Sequence, residues 1–153
     1  MNEQDFLWRT RGMKQKLYRV SCAMLRIEAD REDAISEAIL RGYARMDQLR
    51  DDALFETWLI RILINECRTI QRRHMRDAAP LNESVPAPEP PDPALYEALM
   101  ALPETYRLVL TLHYIEGYST KEVAAQLRVP RGTVLWRLSR ARMLMKDRLE
   151  VGE

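Results

Sequence analysis

The chain has 153 residues, 46% of them hydrophobic and 31% charged, with a formal net charge of +1. That length holds one ordinary domain or two small ones. The composition excludes a disordered tail, a fibre and a wholesale polyanion binder, so any nucleic-acid surface must come from local clustering of Arg.

Cys22 and Cys67 form no CxxC, no apolar run nears the roughly 20 residues that span a bilayer, and the start MNEQDFLWRTRG lacks a signal-peptide core. A cytoplasmic protein without a disulfide framework is expected. Met13, Leu17, Val20, Met24 and Ile27 recur by fours and threes, which predicts an amphipathic helix from about Asp5 to Ile27. Glu28-Ala29-Asp30 is an acidic break, with Asp30 placed to cap the next helix. From Arg31 to about Met46 the expected buried stripe is Ile35, Ile39, Tyr43 and Met46. The opposite face carries Glu32, Asp33, Ser36, Glu37 and Arg41, which on spacing alone is a solvated face. Residues 47–52 (DQLRDD) break the pattern as a loop. A third helix is predicted from about Leu54 to Arg76. Its first half is apolar nearly all round (Phe55, Trp58, Leu59, Ile60, Ile62, Leu63, Ile64), so it is buried on more than one side. Its second half is basic, with Arg68, Arg72, Arg73, His74 and Arg76. Three helices closing on one core is the simplest architecture for residues 1–78.

Residues 79–93 (APLNESVPAPEPPDP) hold six of the chain's eight prolines. Proline removes backbone donors and blocks helix, so this stretch reads as an extended, semi-stiff tether between two helical bodies. In residues 94–153 a short helix over Ala94 to Leu102 puts Leu95, Leu99 and Leu102 on one side. Pro103 opens another, carrying Tyr106, Val109, Leu110, Leu112, His113 and Tyr114, which Gly117 ends. Ser119, followed three residues later by Glu122, is a capping-box pattern. Val123, Ala124 and Leu127 face inward, Val129-Pro130-Arg131-Gly132 makes a turn, and Thr133 opens a last, basic helix. In that helix Val134, Leu138, Ala141 and Met145 form the buried stripe. At about 100° per residue the opposite face carries Trp136, Ser139, Arg140 and Met143, with Leu135 and Arg137 flanking it.

A capped helix, a tight turn and a second helix with outward arginines is a helix-turn-helix. The first half of its second helix meets base edges in the major groove. Arg137 and Arg140 are the cations best placed for guanine edges or phosphates, and Arg131 and Thr133 lie where helix starts hold phosphates. The simpler alternative is a basic helix that only packs in a bundle. Cys67 and His74 share a helical face, and Cys22 and His113 are the other soft ligands, but ligand clusters favour tighter spacings, so no metal site is expected. No nucleophile–base pair, phosphate loop or carboxylate pair stands out, so no enzyme activity, cofactor or small-molecule substrate is expected.

Two motif blocks carry a family resemblance. The first is Asp30-Arg31-Glu32-Asp33-Ala34-Ile35-Ser36-Glu37 followed by Phe55-Glu56-Thr57-Trp58-Leu59-Ile60-Arg61-Ile62-Leu63-Ile64-Asn65-Glu66-Cys67. The second is Leu102-Pro103-Glu104-x-Tyr106-Arg107, Glu122-Val123-Ala124-x-x-Leu127, and Pro130-x-Gly132-Thr133-Val134 with Arg137-Leu138-x-Arg140-Ala141-Arg142. Together they resemble regions two and four of the extracytoplasmic-function (group four) sigma factors of the sigma-70 superfamily, over nearly all of residues 5–150. The second block alone is shared with LuxR-type regulators; the pair joined by a proline-rich tether is much more specific.

The resemblance implies an all-α fold of two small helical domains joined by a linker: region two over 1–78, the linker over 79–93, and region four over 94–153. It implies that region two binds the clamp helices of the RNA polymerase beta-prime subunit and melts the minus-ten element. Region four would bind the beta flap and read the minus-thirty-five element. On that pattern Asp33 and Glu37 become a polymerase-binding surface. Residues 47–54 and the start of the third helix would hold an extruded non-template base, and Arg61, Asn65, Arg68, Arg72 and Arg73 would face promoter DNA. Region four's reading residues would be Arg131, Thr133, Trp136, Arg137, Ser139 and Arg140. An anti-sigma partner, usually membrane-bound, is also implied. The chain departs from the pattern at Leu135-Trp136, where family members often carry a polar or basic pair. The competing reading is a stand-alone helix-turn-helix regulator that never touches polymerase.

Overall fold

The computed structural model describes residues 1–77 and 92–151. Among these residues there are eight α-helices and no strand, and the chain divides into two compact units, Met1–Pro86 and Ala87–Glu153. The tether expected over 79–93 lies almost wholly outside the described residues; Pro93, given to its end, is instead the first residue of a helix.

In the first unit the single helix expected from Asp5 to Ile27 is two: α1 (Glu3–Gly12) and α2 (Lys14–Met24). The break falls at Gly12, a poor helix former, and Met13. It lets α1 bring Phe6 edge-on to Tyr43 and Phe55, each at 5.8 Å between ring centres. Helix α3 (Glu28–Ala44) starts earlier than expected, from Ile27, and Asp30 is not its cap. Asp30 lies in the first turn, where a negative charge suits the helix end, and its carboxylate meets Nε2 of His74 at 2.7 Å.

The buried face of α3 is Arg31, Ala34, Ala38 and Gly42. The expected stripe of Ile35, Ile39, Tyr43 and Met46 is half-buried or exposed. Small residues win because α3 packs closely along α4 (Phe55–Asp77). A Cβ on Gly42 would lie 3.1 Å from Leu59 Cδ1 and 3.3 Å from the Phe6 ring, and both of those side chains are fully buried. Gly42→Val is therefore expected to destabilise this unit by about 1–2 kcal/mol through overpacking. Gly42→Ala should cost much less, because gained helix propensity of about 1 kcal/mol offsets the contact. Calorimetric unfolding of the two variants side by side checks the ordering.

Helix α4 is buried on several sides, as its sequence requires, through Phe55, Leu59, Ile60, Ile62, Leu63, Ile64, Cys67 and Ile70. Two short 3-10 turns, Met46–Gln48 and Asp52–Leu54, connect α3 to it. At the α2–α3 junction Arg31 is wholly buried. Its Nε donates to the Leu25 carbonyl at 2.9 Å and its Nη1 to Glu28 at 3.1 Å. The Tyr18 hydroxyl donates to the same Glu28 oxygen at 2.7 Å. Burial, then that bond to a carboxylate, pushes the Tyr18 phenol up to about 12, so it stays a donor.

In the second unit Asp92 caps α5 (Pro93–Met100), accepting from the Ala94 and Leu95 amides. Arg107 is buried and donates to the Met100 and Leu102 carbonyls, closing the end of α5. Helix α6 (Glu104–Leu110) runs into a π turn, Thr111–Ile115. Gly117 then takes a φ of 81°, a left-handed conformation that glycine adopts without steric cost. His113 Nδ1 meets the Tyr118 carbonyl at 2.7 Å across this corner. The capping box at Ser119 and Glu122 is present in both directions and starts α7 (Thr120–Leu127). Arg128 ends α7 in the left-handed region (φ 57°), and the Val129 amide reaches back to the Ala124 carbonyl. Helix α8 (Arg131–Val151) follows, beginning two residues before the expected Thr133. Leu102, Val109, Leu112, Val123, Leu127, Val134, Leu138 and Ala141 form the core.

Candidate nucleic-acid and polymerase interfaces

On α8 the burial of Val134, Leu138 and Ala141 fixes the outward face, and Trp136, Ser139, Arg140 and Met143 are all exposed there. With Tyr106 of α6 they line a shallow cleft of about 380 Å³. Trp136 is 61% exposed and lies 6.3 Å from the Tyr106 ring. Tyr106, tilted against it, is the one aromatic neighbour of Trp136 in the cleft, and most of the indole face is left in solvent. Spacing groups Tyr106 with the apolar positions of its helix; its half-exposure depends on α8 crossing beside it, which no local pattern encodes.

The structure brings Trp136, Ser139 and Arg140 together and separates the other expected residues. Arg137 is half-buried on the flank and Thr133 is half-buried in the first turn. Arg131 is turned toward α7, its Nε donating to Thr120 Oγ1 at 2.9 Å. That bond joins the starts of α7 and α8, whose amide ends attract phosphate.

On α4, Arg61, Asn65, Arg68 and Arg72 step by four, three and four, so they form one stripe. Asn65 and Arg72 are exposed, Arg61 and Arg68 half-buried. Arg73 is exposed but about 100° round the helix from Arg72. On α3, Asp33 is exposed, whereas Glu37 is held by Arg41 at 3.2 Å, which also meets Glu66 of α4 at 2.7 Å. Leu40, 63% exposed, sits on the same face as Asp33 and Glu37. Leu40 falls at the same helical period as Asp33 and Glu37, so spacing alone could have shown this single leucine beside two carboxylates.

The second unit also carries an apolar groove of about 480 Å³. Leu95, Leu99, Tyr114, Ile115, Met145 and Leu149 line it, and Arg142 and Lys146 stand on its rim. Leu95 is 46% exposed, so it opens into this groove and is not core, contrary to its spacing with Leu99 and Leu102. Arg142 is drawn to the same side, donating to the Tyr114 hydroxyl at 2.7 Å. His74 is engaged with Asp30 and Cys67 is wholly buried. Among the described residues no group of three or more His, Cys, Asp or Glu could hold a metal ion.

Residues 11–77 match the family Sigma-70 region 2, and residues 93–145 match Sigma-70, region 4. An ECF RNA polymerase sigma factor of Mycobacterium tuberculosis, SigM, is 31% identical over 134 residues, covering 84% of this chain and 68% of SigM. The chain belongs to the ECF sigma factors. A probable sigma factor of Xanthomonas campestris, RfaY, is 34% identical over 85% of this chain, which spans only 36% of that protein's length. The sigma-E factor of Escherichia coli is 27% identical over 79% of this chain and 74% of its own. Among solved structures, the sigma factor RpoE of Bartonella quintana, crystallised with the anti-sigma factor NepR, matches with a TM-score of 0.84. It is 24% identical and covers 98% of this chain and 99% of its own. CnrH, solved with the cytosolic domain of CnrY, matches at 0.75 and 22% identity, covering 99% and 92%. At these identities the two structures establish the fold. For an ECF sigma factor, the α4 stripe falls in region two and the outward face of α8 in region four.

Proposed function

We propose that this ECF sigma factor directs core RNA polymerase to a specific set of promoters, with its two units reading one promoter in two places. The single observation that carries this is the pairing, in one chain, of a region-two match bearing a part-exposed basic stripe with a region-four match bearing an exposed face of Trp136, Ser139 and Arg140. The α8 face of Trp136, Ser139 and Arg140 reads the upstream element in duplex form. Arg137, Arg131 and Thr133 sit at the edge of that face and serve phosphates. The α4 stripe, with Arg73 beside it, tracks the downstream element, and residues 47–54 receive an extruded base. Extrusion costs a few kcal/mol of unstacking, which a preformed pocket offsets.

Asp33, Glu37 and Leu40 form the face for the beta-prime clamp helices. The apolar groove of the second unit fits an amphipathic helix, and the beta flap and an anti-sigma factor compete for it. That arrangement explains how a membrane-bound anti-sigma silences the factor: it covers surfaces that polymerase needs. As a sigma factor the protein acts on polymerase in the cytoplasm, without catalysis of its own. Run-off transcription with purified core enzyme on fragments of the source genome is the test. Specific transcripts are expected only when both are present. Tight, sequence-specific binding to duplex DNA by the protein alone, with no transcripts, would establish the stand-alone regulator instead.

A further inference from the structure

The first unit carries a second basic surface that neither the α4 stripe nor the α3 face includes. From Phe6 to Ile27 the chain holds Arg9, Arg11, Lys14, Lys16, Arg19 and Arg26 and no Asp or Glu. Arg9, Arg11, Lys14 and Lys16 flank the corner where α1 breaks into α2, and Arg19 and Arg26 follow along α2 and past its end. Arg11, Lys14, Arg19 and Arg26 are exposed or nearly so. In their midst Trp8 stands 76% exposed, beside Leu7 at 46%. Trp8, Arg9, Arg11, Lys16 and Phe55 line a groove of about 670 Å³, in which Glu56 is the one carboxylate. Glu56 is engaged with Lys16 at 2.9 Å. An exposed aromatic and its exposed apolar neighbour rimmed by cations fit an interaction surface.

The groove is tied to the turn before α4. Arg9 Nη1 donates to the Asp52 carbonyl at 3.2 Å, and its guanidinium lies 5.9 Å over the Phe55 ring. The floor of the groove therefore continues into the Asp52–Leu54 turn, which the proposed function gives to the opened strand.

We propose that this corner is a second binding site for single-stranded DNA, in which Trp8 stacks on a base beyond the one held at the Asp52–Leu54 turn, while Arg11 and Lys14 neutralise the flanking phosphates. The inference rests on the promoter-opening role given above. Two features favour a single strand over an acidic protein segment. The cations bracket an aromatic face, which is how sequence-tolerant single-strand sites combine backbone attraction with stacking. In addition, the site is continuous with a turn already assigned to unpaired DNA. Duplex DNA does not fit, because its bases are stacked on one another and offer Trp8 no free face.

The test uses the full chain bound to core RNA polymerase and fork-junction DNAs of a promoter that this holoenzyme transcribes. The forks carry either a short non-template overhang, ending at the base nearest the turn, or one several nucleotides longer. Trp8→Ala is expected to weaken binding of the long fork by roughly 5- to 150-fold and to leave the short fork unchanged. Trp8→Phe should restore most of the loss, and the Arg11→Ala/Lys14→Ala double variant should reduce the salt dependence on the long fork only. Equal affinity of wild type and Trp8→Ala for the long fork overturns the proposal while leaving the sigma reading intact. Weaker binding of Trp8→Ala to core polymerase without DNA also overturns it, making the corner a protein-docking face. Failure of the wild-type holoenzyme to favour forks over unrelated DNA would remove the promoter reading itself, and this proposal with it.

Discussion

Arg31→Ala is expected to cost the first unit about 3 kcal/mol, a large loss for a single substitution. The side chain is wholly buried, so truncation opens a large cavity at the α2–α3 junction. It also leaves the Leu25 carbonyl without its guanidinium donor and Glu28 without its cation. Glu28 is about 38% exposed, so water recovers part of the second loss and holds the cost to the low end for a broken buried pair. For a unit of this size, roughly 4–8 °C of melting temperature accompanies each kcal/mol, so a drop of about 12–24 °C is expected by calorimetry. Arg31→Met separates the causes. It keeps most of the volume and loses the bonds, so it should recover part of the stability. Adding Glu28→Gln to Arg31→Met should then cost little further, because the carboxylate no longer has a cation to lose. A melting temperature for Arg31→Ala within a few degrees of wild type would mean that the buried guanidinium organises nothing.

Local pattern gives no reason to bury an arginine, and the burial of Arg31 belongs to a wider division in this chain. What is encoded within one or two turns was legible. The Ser119–Glu122 box caps α7 as its spacing requires, and the apolar circumference of α4 is buried as its composition requires. What depends on a partner distant in sequence was not. Ala34, Ala38 and Gly42 lie next to Ile35, Ile39 and Tyr43 at the same period, and hydrophobicity favours the larger set. The closeness of α4 decides for the smaller one, and that closeness is a tertiary fact. Asp30 reads as a cap because nothing local shows His74, 44 residues away. Arg128 gives no sign of a helix end, since the left-handed position is usually a glycine. The same division holds for function. The outward face of α8 followed from its buried stripe, but which of its cations are engaged did not. Arg131 and Arg142 are bonded to Thr120 and Tyr114, contacts made only when α8 crosses α7 and the π turn.

Among the region-four cations this leaves Arg140 as the one that shares the exposed cleft with Trp136 and Ser139. Arg140→Ala should weaken binding of the holoenzyme to its own promoter by about 1–3 kcal/mol, roughly 5- to 150-fold, if the guanidinium makes a bidentate contact to a guanine edge. The loss should be confined to promoters carrying the preferred base and vanish on a variant changed at that pair. Arg137→Ala, on the half-buried flank, should instead reduce affinity by a similar factor on every sequence and lower the salt slope by about 1. Trp136→Ala completes the comparison. If its exposed ring contacts a thymine methyl, the loss on Trp136→Ala is expected to match the loss when that thymine becomes uracil; a loss that persists on uracil would point to its indole N–H as donor instead. Binding titrations of the three variants against single-base promoter substitutions, at two salt concentrations, resolve the roles. A loss for Arg140→Ala that is the same on every sequence would make Arg140 a phosphate contact and move base reading in region four to Trp136 and Ser139.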